Sequence, residues 1–383
     1  MKVLLINPWG IRNDQYYTSG FISSMNRLIN LDYVSNYYYK GVNPNGKLFR
    51  IFFKNTENMS ESVRRTILRG IEYIVAWNKI IKIINANEYD IIHIHWLLFY
   101  KADIVFLEKL RKIMGTKKII LTAHNVIPHI NGERKIEILK KVYSYFDYIL
   151  VHGEAIRDEF VEIFPEFRNK IKVQYHGVYL GQGTSIRLSI YNDKKSEIDR
   201  LRMKYNKIFI MYGYHYFNKG TDRLIRIWKE NYLDKDALLL VVGKKDSVYL
   251  ELEEIVQQIK STDNIIYIQG YLEEDILNYY INISDCVIVP YRHASMSGVV
   301  FTAATFKKMV ICTKAGAISE YIEDQKDGLV CGIENEELNM AIGKAMEMSN
   351  VEMKMMGENL FKNIYSKFSW QVISNNVVKN IYC

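Results

Sequence analysis

The chain has 383 residues, carries a formal charge of +8, and is about half hydrophobic and a quarter charged. This is the composition of a globular protein with two domains of ordinary size, and it excludes a disordered or fibrous chain. No apolar run reaches 18 residues, so no membrane-spanning helix is expected.

The excess of lysine and arginine favours an anionic partner or an anionic membrane surface. The charge is scattered and no nucleic-acid-binding module is recognisable, so nucleic acid is not an expected partner. The start, MKVLLINPWG, is too short for a signal h-region and fits a first strand. Cys286, Cys312, Cys331 and Cys383 show no CxxC spacing, which fits a reduced cytoplasmic protein without structural zinc.

Val3–Ile6 reads as the first strand, residues 7–20 as a polar and aromatic loop containing Gly10, and residues 21–31 as a helix. This is a strand, glycine-bearing loop and helix without the GxGxxG fingerprint of dinucleotide sites. A further strand is expected around Leu48–Phe53.

Residues 60–87 are helical, with one apolar set (Ile67, Ile71, Ile74, Val75, Ile81) and one basic set (Arg64, Arg65, Arg69, Lys79, Lys82). Two readings stay open. The apolar set faces the core and the basic set faces water, or the helix lies on a membrane surface.

Asp90–Trp96 (DIIHIHW) is a strand with His93 and His95 on one face. The two histidines are structural or mark a ligand-facing edge. The next strands end in AHNVIPH, in VHG and in YHG, so His124, His152 and His176 stand at three successive strand ends. Asn125 and His129 share the first of these loops.

The chain then turns polar, and a linker with a short helix is placed at residues 181–206. A second strand–helix series follows, beginning at Ile208. Two alternating series give two doubly wound α/β domains: residues 1–180, completed by a C-terminal helix at 366–383, and residues 207–365.

Residues 285–328 carry the densest signal. Cys286–Pro290 is a buried parallel strand, residues 291–296 a polar loop, Val299–Phe306 a helix opened by Ser297 and Gly298, and Met309–Thr313 the next strand. Free N–H groups of Ser297, Gly298 and Val299 at the carboxyl edge of a parallel sheet suit a phosphate. The plainer alternative makes Ser297 an ordinary N-cap. Lys219, after the first strand of the second series, is a point charge suited to a diphosphate at the same edge, and Arg292 offers a second cation. Gly10 can approach the same phosphates.

Several blocks together resemble the GT-B fold glycosyltransferases of the large retaining family 4 type. GYHYFNKGTDRLIRIW, DCVIVPYR, SGVVFTA, MVICTKAGAISEYIEDQKDGLV and the late FSW look like the donor domain. LTAHNVIPH, DYILVHGEAIRDEF and VQYHG look like the acceptor domain of bacterial members that build surface polysaccharides. The match departs at the family's Glu-x7-Glu motif, where Ala294 and Thr302 stand. It departs again where Tyr214 replaces an arginine beside Gly213, Lys219 and Gly220.

The resemblance implies a UDP- or GDP-linked sugar as donor substrate, no cofactor and no metal. It implies a glycan acceptor, carried on a polyprenyl diphosphate, and work in the cytoplasm or at the inner face of the membrane. Transfer would be retaining, with the leaving phosphate as base. By the same resemblance His124 contacts the transferred sugar, Tyr271 lies by the base and Glu320 by the donor. His95, Asn125 and His129 are assigned to the acceptor side. Because both carboxylates are absent, a non-catalytic subunit that stabilises a partner transferase stands as the alternative. An epimerase on the same fold is the third reading.

Overall fold

Short β-branched runs, most of them followed by a helix, build two all-parallel sheets. The computed structural model describes residues 1–11, 13–127, 133–178, 192–261 and 263–383. Contacts divide the chain into Met1–Val178 with Phe368–Cys383, and Tyr179–Lys367.

The first unit holds β1 (Lys2–Asn7), β2 (Asn30–Asn36), β3 (Leu48–Phe52), β4 (Ile91–Ile94), β5 (Lys118–Thr122), β6 (Tyr148–Val151) and β7 (Ile171–Val173). Their order is β3-β2-β1-β4-β5-β6-β7. Its helices are α1 (Asn13–Met25), α2 (Val63–Asn85), α3 (Tyr100–Met114), α4 (Ile136–Ser144) and α5 (Glu154–Ile163). The central strands are buried end to end, as parallel strands covered on both faces must be.

The second unit holds β8 (Lys207–Tyr212), β9 (Ala237–Gly243), β10 (Ile265–Gln269), β11 (Cys286–Val289), β12 (Met309–Thr313) and β13 (Leu329–Cys331). Their order is β10-β9-β8-β11-β12-β13. Its helices run from α6 (Asn192–Lys204), α7 (Thr221–Asn231), α8 (Leu250–Gln257) and α9 (Glu274–Ile283) to α10 (Val299–Thr305), α11 (Asn335–Glu347) and α12 (Asn350–Phe368). In each sheet the strand order reverses once, at β1/β4 and at β8/β11. Open α/β sheets bind ligands at such points.

Three local expectations change. The helix after β1 starts at Asn13, inside the stretch read as loop. Asp14 there accepts hydrogen bonds from the Asn7 amide (2.7 Å) and the Thr18 hydroxyl (3.2 Å), which ties the first turn to β1. Helix α6, read as linker, packs on α9 within the second unit. Its Arg202 pairs with Asp285 at 2.5 Å.

The third change concerns α2, which begins behind Ser62, whose hydroxyl accepts from the Arg65 N–H at 3.1 Å. Its buried side is Tyr73, Ala76, Trp77, Ile80 and Ile84, while Ile67, Ile71, Ile74 and Val75 are exposed. Aromatic bulk decides the orientation. Trp77 stacks on Phe106 of α3, and Tyr73 donates to Asp103 at 2.6 Å.

The C-terminal return adds α13 (Trp370–Val377) to the first unit. Val178 and Phe368 are joined by a 2.9 Å backbone hydrogen bond. Trp370 lies over Gly20 of α1 and Gly177, where a Cβ at either glycine would overlap its ring.

Candidate functional site

In the second unit the loops after β8 and β11 meet at the reversal point. The Arg292 N–H donates to the Asn218 carbonyl at 2.8 Å. Gly220 makes that approach feasible. It adopts φ +68°, and a Cβ on it would overlap the Pro290 carbonyl.

Lys219 stands between the two loops, its Nζ 3.7 Å from the centre of the Tyr291 ring. Among the described residues no carboxylate pairs with it. Burial lowers its pKa to about 8, because the ammonium loses water without gaining a counter-ion. A desolvated cation without a partner is the most evident anion-seeking group of this edge.

Arg292 is differently placed. It forms a two-pronged pair with Asp222 at 2.7 and 2.8 Å and donates to the Phe217 carbonyl at 2.7 Å. Burial alone would lower its pKa, and the Asp222 pair overrides this and raises it. Its charge is therefore already neutralised, and its evident work is to tie the β11 loop to α7. Asp222 also accepts from the Tyr249 hydroxyl. Asp222 and Tyr291 were not singled out from the sequence, because an Asp in a first helical turn and a Tyr after a strand are ordinary residues.

The Ser297 hydroxyl is 3.1 Å from that of Tyr291 and accepts from the Val299 N–H at 3.4 Å. Gly298 is exposed, and the helix behind it, α10, is seven residues long. Glu320 is half-buried in the turn Gly316–Tyr321 after β12. That turn is drawn to the β11 loop by a 3.1 Å bond from Ala317 N–H to the Ser295 carbonyl. Lys219, Arg292, Ser297, Gly298, Val299 and Glu320 thus share one sheet edge. Tyr271, two residues beyond the outer strand β10, is 92% exposed and packs in no core.

In the first unit a cavity of about 360 Å³ is lined by Trp9, His95, Trp96, His124, Asn125 and Lys135 among others. It opens at the carboxyl ends of β4 and β5, beside the reversal point. Gly10, at φ +29°, is buried over the Tyr33 hydroxyl, and its N–H donates to Asn7 Oδ1 at 3.1 Å. His129 lies outside the described residues.

The strand-end histidines converge. Tyr17 touches the rings of His95, His124, His152 and His176, at 4.8 to 5.5 Å between centres. Trp96 stacks flat on His124, at 4.5 Å and 6°, and donates to Asp14 at 3.3 Å. Burial disfavours every imidazolium here: His152 falls to about 4, His176 to about 3, and His95 and His124 well below their usual value. His93 is structural, bonded to Thr122 and Tyr382.

Hydrogen-bond logic assigns the tautomers. The Gln174 carbonyl, 2.9 Å from His152 Nδ1, can only accept, so that nitrogen carries the proton. Neutral His152 then presents a lone pair at Nε2, and His124 Nδ1–H donates to it across 3.3 Å. His124 is left with an unprotonated Nε2, buried and without a hydrogen-bond partner among the described residues. Both ring nitrogens of His95 are likewise buried and without a hydrogen-bond partner among the described residues, and in the neutral ring one of them carries the proton and the other a lone pair. The first unit therefore offers lone pairs suited to a hydroxyl, and the second an anion site.

Comparison with known proteins gives a separate family match to each unit. Residues 206–348 match the model of the glycosyl transferases group 1, and residues 53–182 that of glycosyltransferase family 4. An uncharacterised 41.2 kDa protein in the cps region of Klebsiella pneumoniae is 27% identical over 67% of this chain and 69% of its own length. An uncharacterised glycosyltransferase of Methanocaldococcus jannaschii, MJ1178, is 26% identical over 79% of this chain and 78% of its own. Among solved structures, Anabaena HepE with bound UDP superposes at a TM-score of 0.69, with 14% identity, over 100% of this chain and 99% of that one. With one family model on each α/β unit and this architecture throughout, the chain belongs to the GT-B fold glycosyltransferases of the group 1 and family 4 type.

Proposed function

We propose that this chain transfers a hexosyl group from a UDP- or GDP-linked sugar to a hydroxyl of a glycan carried on a polyprenyl diphosphate. The product serves a bacterial surface polysaccharide, and transfer proceeds with retention and without a metal. The observation that carries the reading is Lys219, a desolvated cation without a carboxylate partner among the described residues, at a reversal point where two loops are tied together. The HepE structures hold UDP and UDP-glucose, which supports a nucleotide-sugar donor. The Klebsiella relative's place in a cps region supports the polysaccharide assignment.

In this reading Lys219 and the N–H groups of Ser297 and Gly298 hold the diphosphate, with that of Val299 turning from the Ser297 hydroxyl to join them. They stabilise the charge it gains as the sugar C1–O bond breaks. Arg292 holds the loop that presents Ser297, Tyr271 lies by the base and Glu320 by the donor sugar. The acceptor hydroxyl attacks C1 from the face the phosphate leaves, and its proton passes to the departing phosphate oxygen. No pair of catalytic carboxylates is then required, which fits Ala294 and Thr302 standing at those positions. His124 Nε2 accepts a hydrogen bond from the transferred sugar, and His95 and Asn125 line the acceptor side, to which the sequence also assigns His129.

Titration calorimetry with UDP, GDP, ADP and TDP tests the donor half. Binding of one diphosphate is expected, followed by sugar transfer from the matching donor. No binding at millimolar ligand would overturn the reading in favour of a partner-stabilising subunit.

A further inference from the structure

Helix α2 has two apolar faces, and the core uses only one. Tyr73, Ala76, Trp77, Ile80 and Ile84 are buried. On the opposite side Val63, Ile67, Ile71, Ile74 and Val75 are 78, 60, 54, 45 and 48% exposed. Their spacing of i, i+4, i+8, i+11 and i+12 places them on one stripe. At 1.5 Å per residue the stripe from Val63 to Val75 runs about 18 Å along the helix. An exposed apolar row of this length on a charged, globular chain marks a contact surface.

The charges beside the stripe identify the contact. Arg64, Lys79 and Lys82 are exposed along it. Of the five basic residues of the helix, Arg69 is buried against Glu57 at 3.1 Å and Arg65 lies beside Glu61 at 3.9 Å; its one acidic residue is Glu72. Glu72 is turned away to Asn55 and Thr56, which donate to it at 2.6 to 3.2 Å. The adjacent helix α3 adds exposed Lys101 and Lys109, while its Lys112 pairs with the exposed Glu108 at 3.1 Å. A protein partner for so one-sided a surface would need a matching acidic rim. An anionic lipid surface supplies both complements at once, acyl chains for the isoleucines and headgroup phosphates for the lysines. No described helix is long and apolar enough to cross a membrane, so a surface-lying mode is the one available to α2.

We propose that the outer face of α2 is a docking surface for an anionic phospholipid bilayer, with Val63, Ile67, Ile71 and Ile74 entering the headgroup–acyl boundary. The inference stands apart from the transferase reading, although a lipid-carried acceptor would give the docking a purpose.

Flotation of the full chain with vesicles of phosphatidylcholine, with and without phosphatidylglycerol, tests it. The wild type is expected to float with the phosphatidylglycerol vesicles and to detach as salt rises. Ile67→Ser/Ile71→Ser/Ile74→Ser should lower partitioning roughly tenfold or more, since three inserted side chains are lost. Lys79→Glu/Lys82→Glu should lower it on the anionic vesicles alone. All five positions are partly or largely exposed, so both variants should unfold at the wild-type temperature, and each should bind a nucleotide diphosphate as the wild type does. That second readout separates failure of docking from failure of the donor site. Absence of wild-type binding to anionic vesicles would overturn the proposal. So would binding that the serine variant retains, or a wild-type dimer that the serine variant dissociates, since the stripe would then belong to a second copy.

Discussion

His152 Nε2 lies 3.3 Å from His124 Nδ1, and the Gln174 carbonyl behind His152 sets the direction of the bond between them. The pair holds a buried, neutral His124 whose Nε2 lone pair has no partner among the described residues. His152→Phe removes the acceptor and lets His124 turn over its tautomer. Sugar transfer should fall roughly tenfold or more, the cost of one unsatisfied buried donor, while calorimetric nucleotide affinity stays unchanged. His124→Ala should depress transfer further with the same unchanged affinity. Full activity in either variant would remove the pair from the site.

Lys219→Ala should weaken binding of the nucleotide diphosphate by about 1.5–3 kcal/mol, the value of a charge-assisted hydrogen bond. With its pKa near 8, free Lys219 loses its proton between pH 7 and 9. A bound diphosphate favours the charged form, so affinity should fall across that range. Lys219→Arg should flatten this limb, because a guanidinium does not titrate there. Calorimetry at pH 7, 8 and 9 reads both effects, and a wild-type affinity that is level with pH would count against the assignment.

Asp103 offers a pH prediction for stability. Burial pushes its carboxyl up to about 7, although Tyr73 and the Phe99 N–H donate to it. In the native state it keeps a proton that the unfolded chain has already released above about 4. Stability supplied by the protonated form is complete below about pH 4 and is lost as pH rises through 7, by up to ~1.4 kcal/mol per unit. Asp103→Asn should remove this slope. Denaturant midpoints at pH 5 and pH 8 should therefore converge in the variant and differ in the wild type.

The seat of the C-terminal helix is tested by Gly20→Ala. The added methyl meets the Trp370 ring, which cannot retreat because Tyr17, Phe21 and His176 close around it. A loss of about 1–3 kcal/mol is expected, as for other overpacked cores. An unchanged melting temperature would show that the helix is held elsewhere.

Legible from local chemistry alone are the two strand–helix series, the glycine and lysine that follow β8, the Ser-Gly start behind β11 and the histidines at three strand ends. Each is written in local chemistry: β-branched runs, a residue without a side chain, a cation after a strand. Tertiary structure decided what those residues do to one another. It paired Arg292 with Asp222 and left Lys219 without a counter-ion among the described residues. It brought β1 beside β4, so that Trp9 and Trp96 line one cavity although 87 positions separate them. It also chose which apolar face of α2 is buried. Both faces satisfy a 3.6-residue period, and periodicity cannot tell them apart. The face with Tyr73 and Trp77 went inward because stacking on Phe106 and a hydrogen bond to Asp103 were available only there, and the isoleucines were left outside.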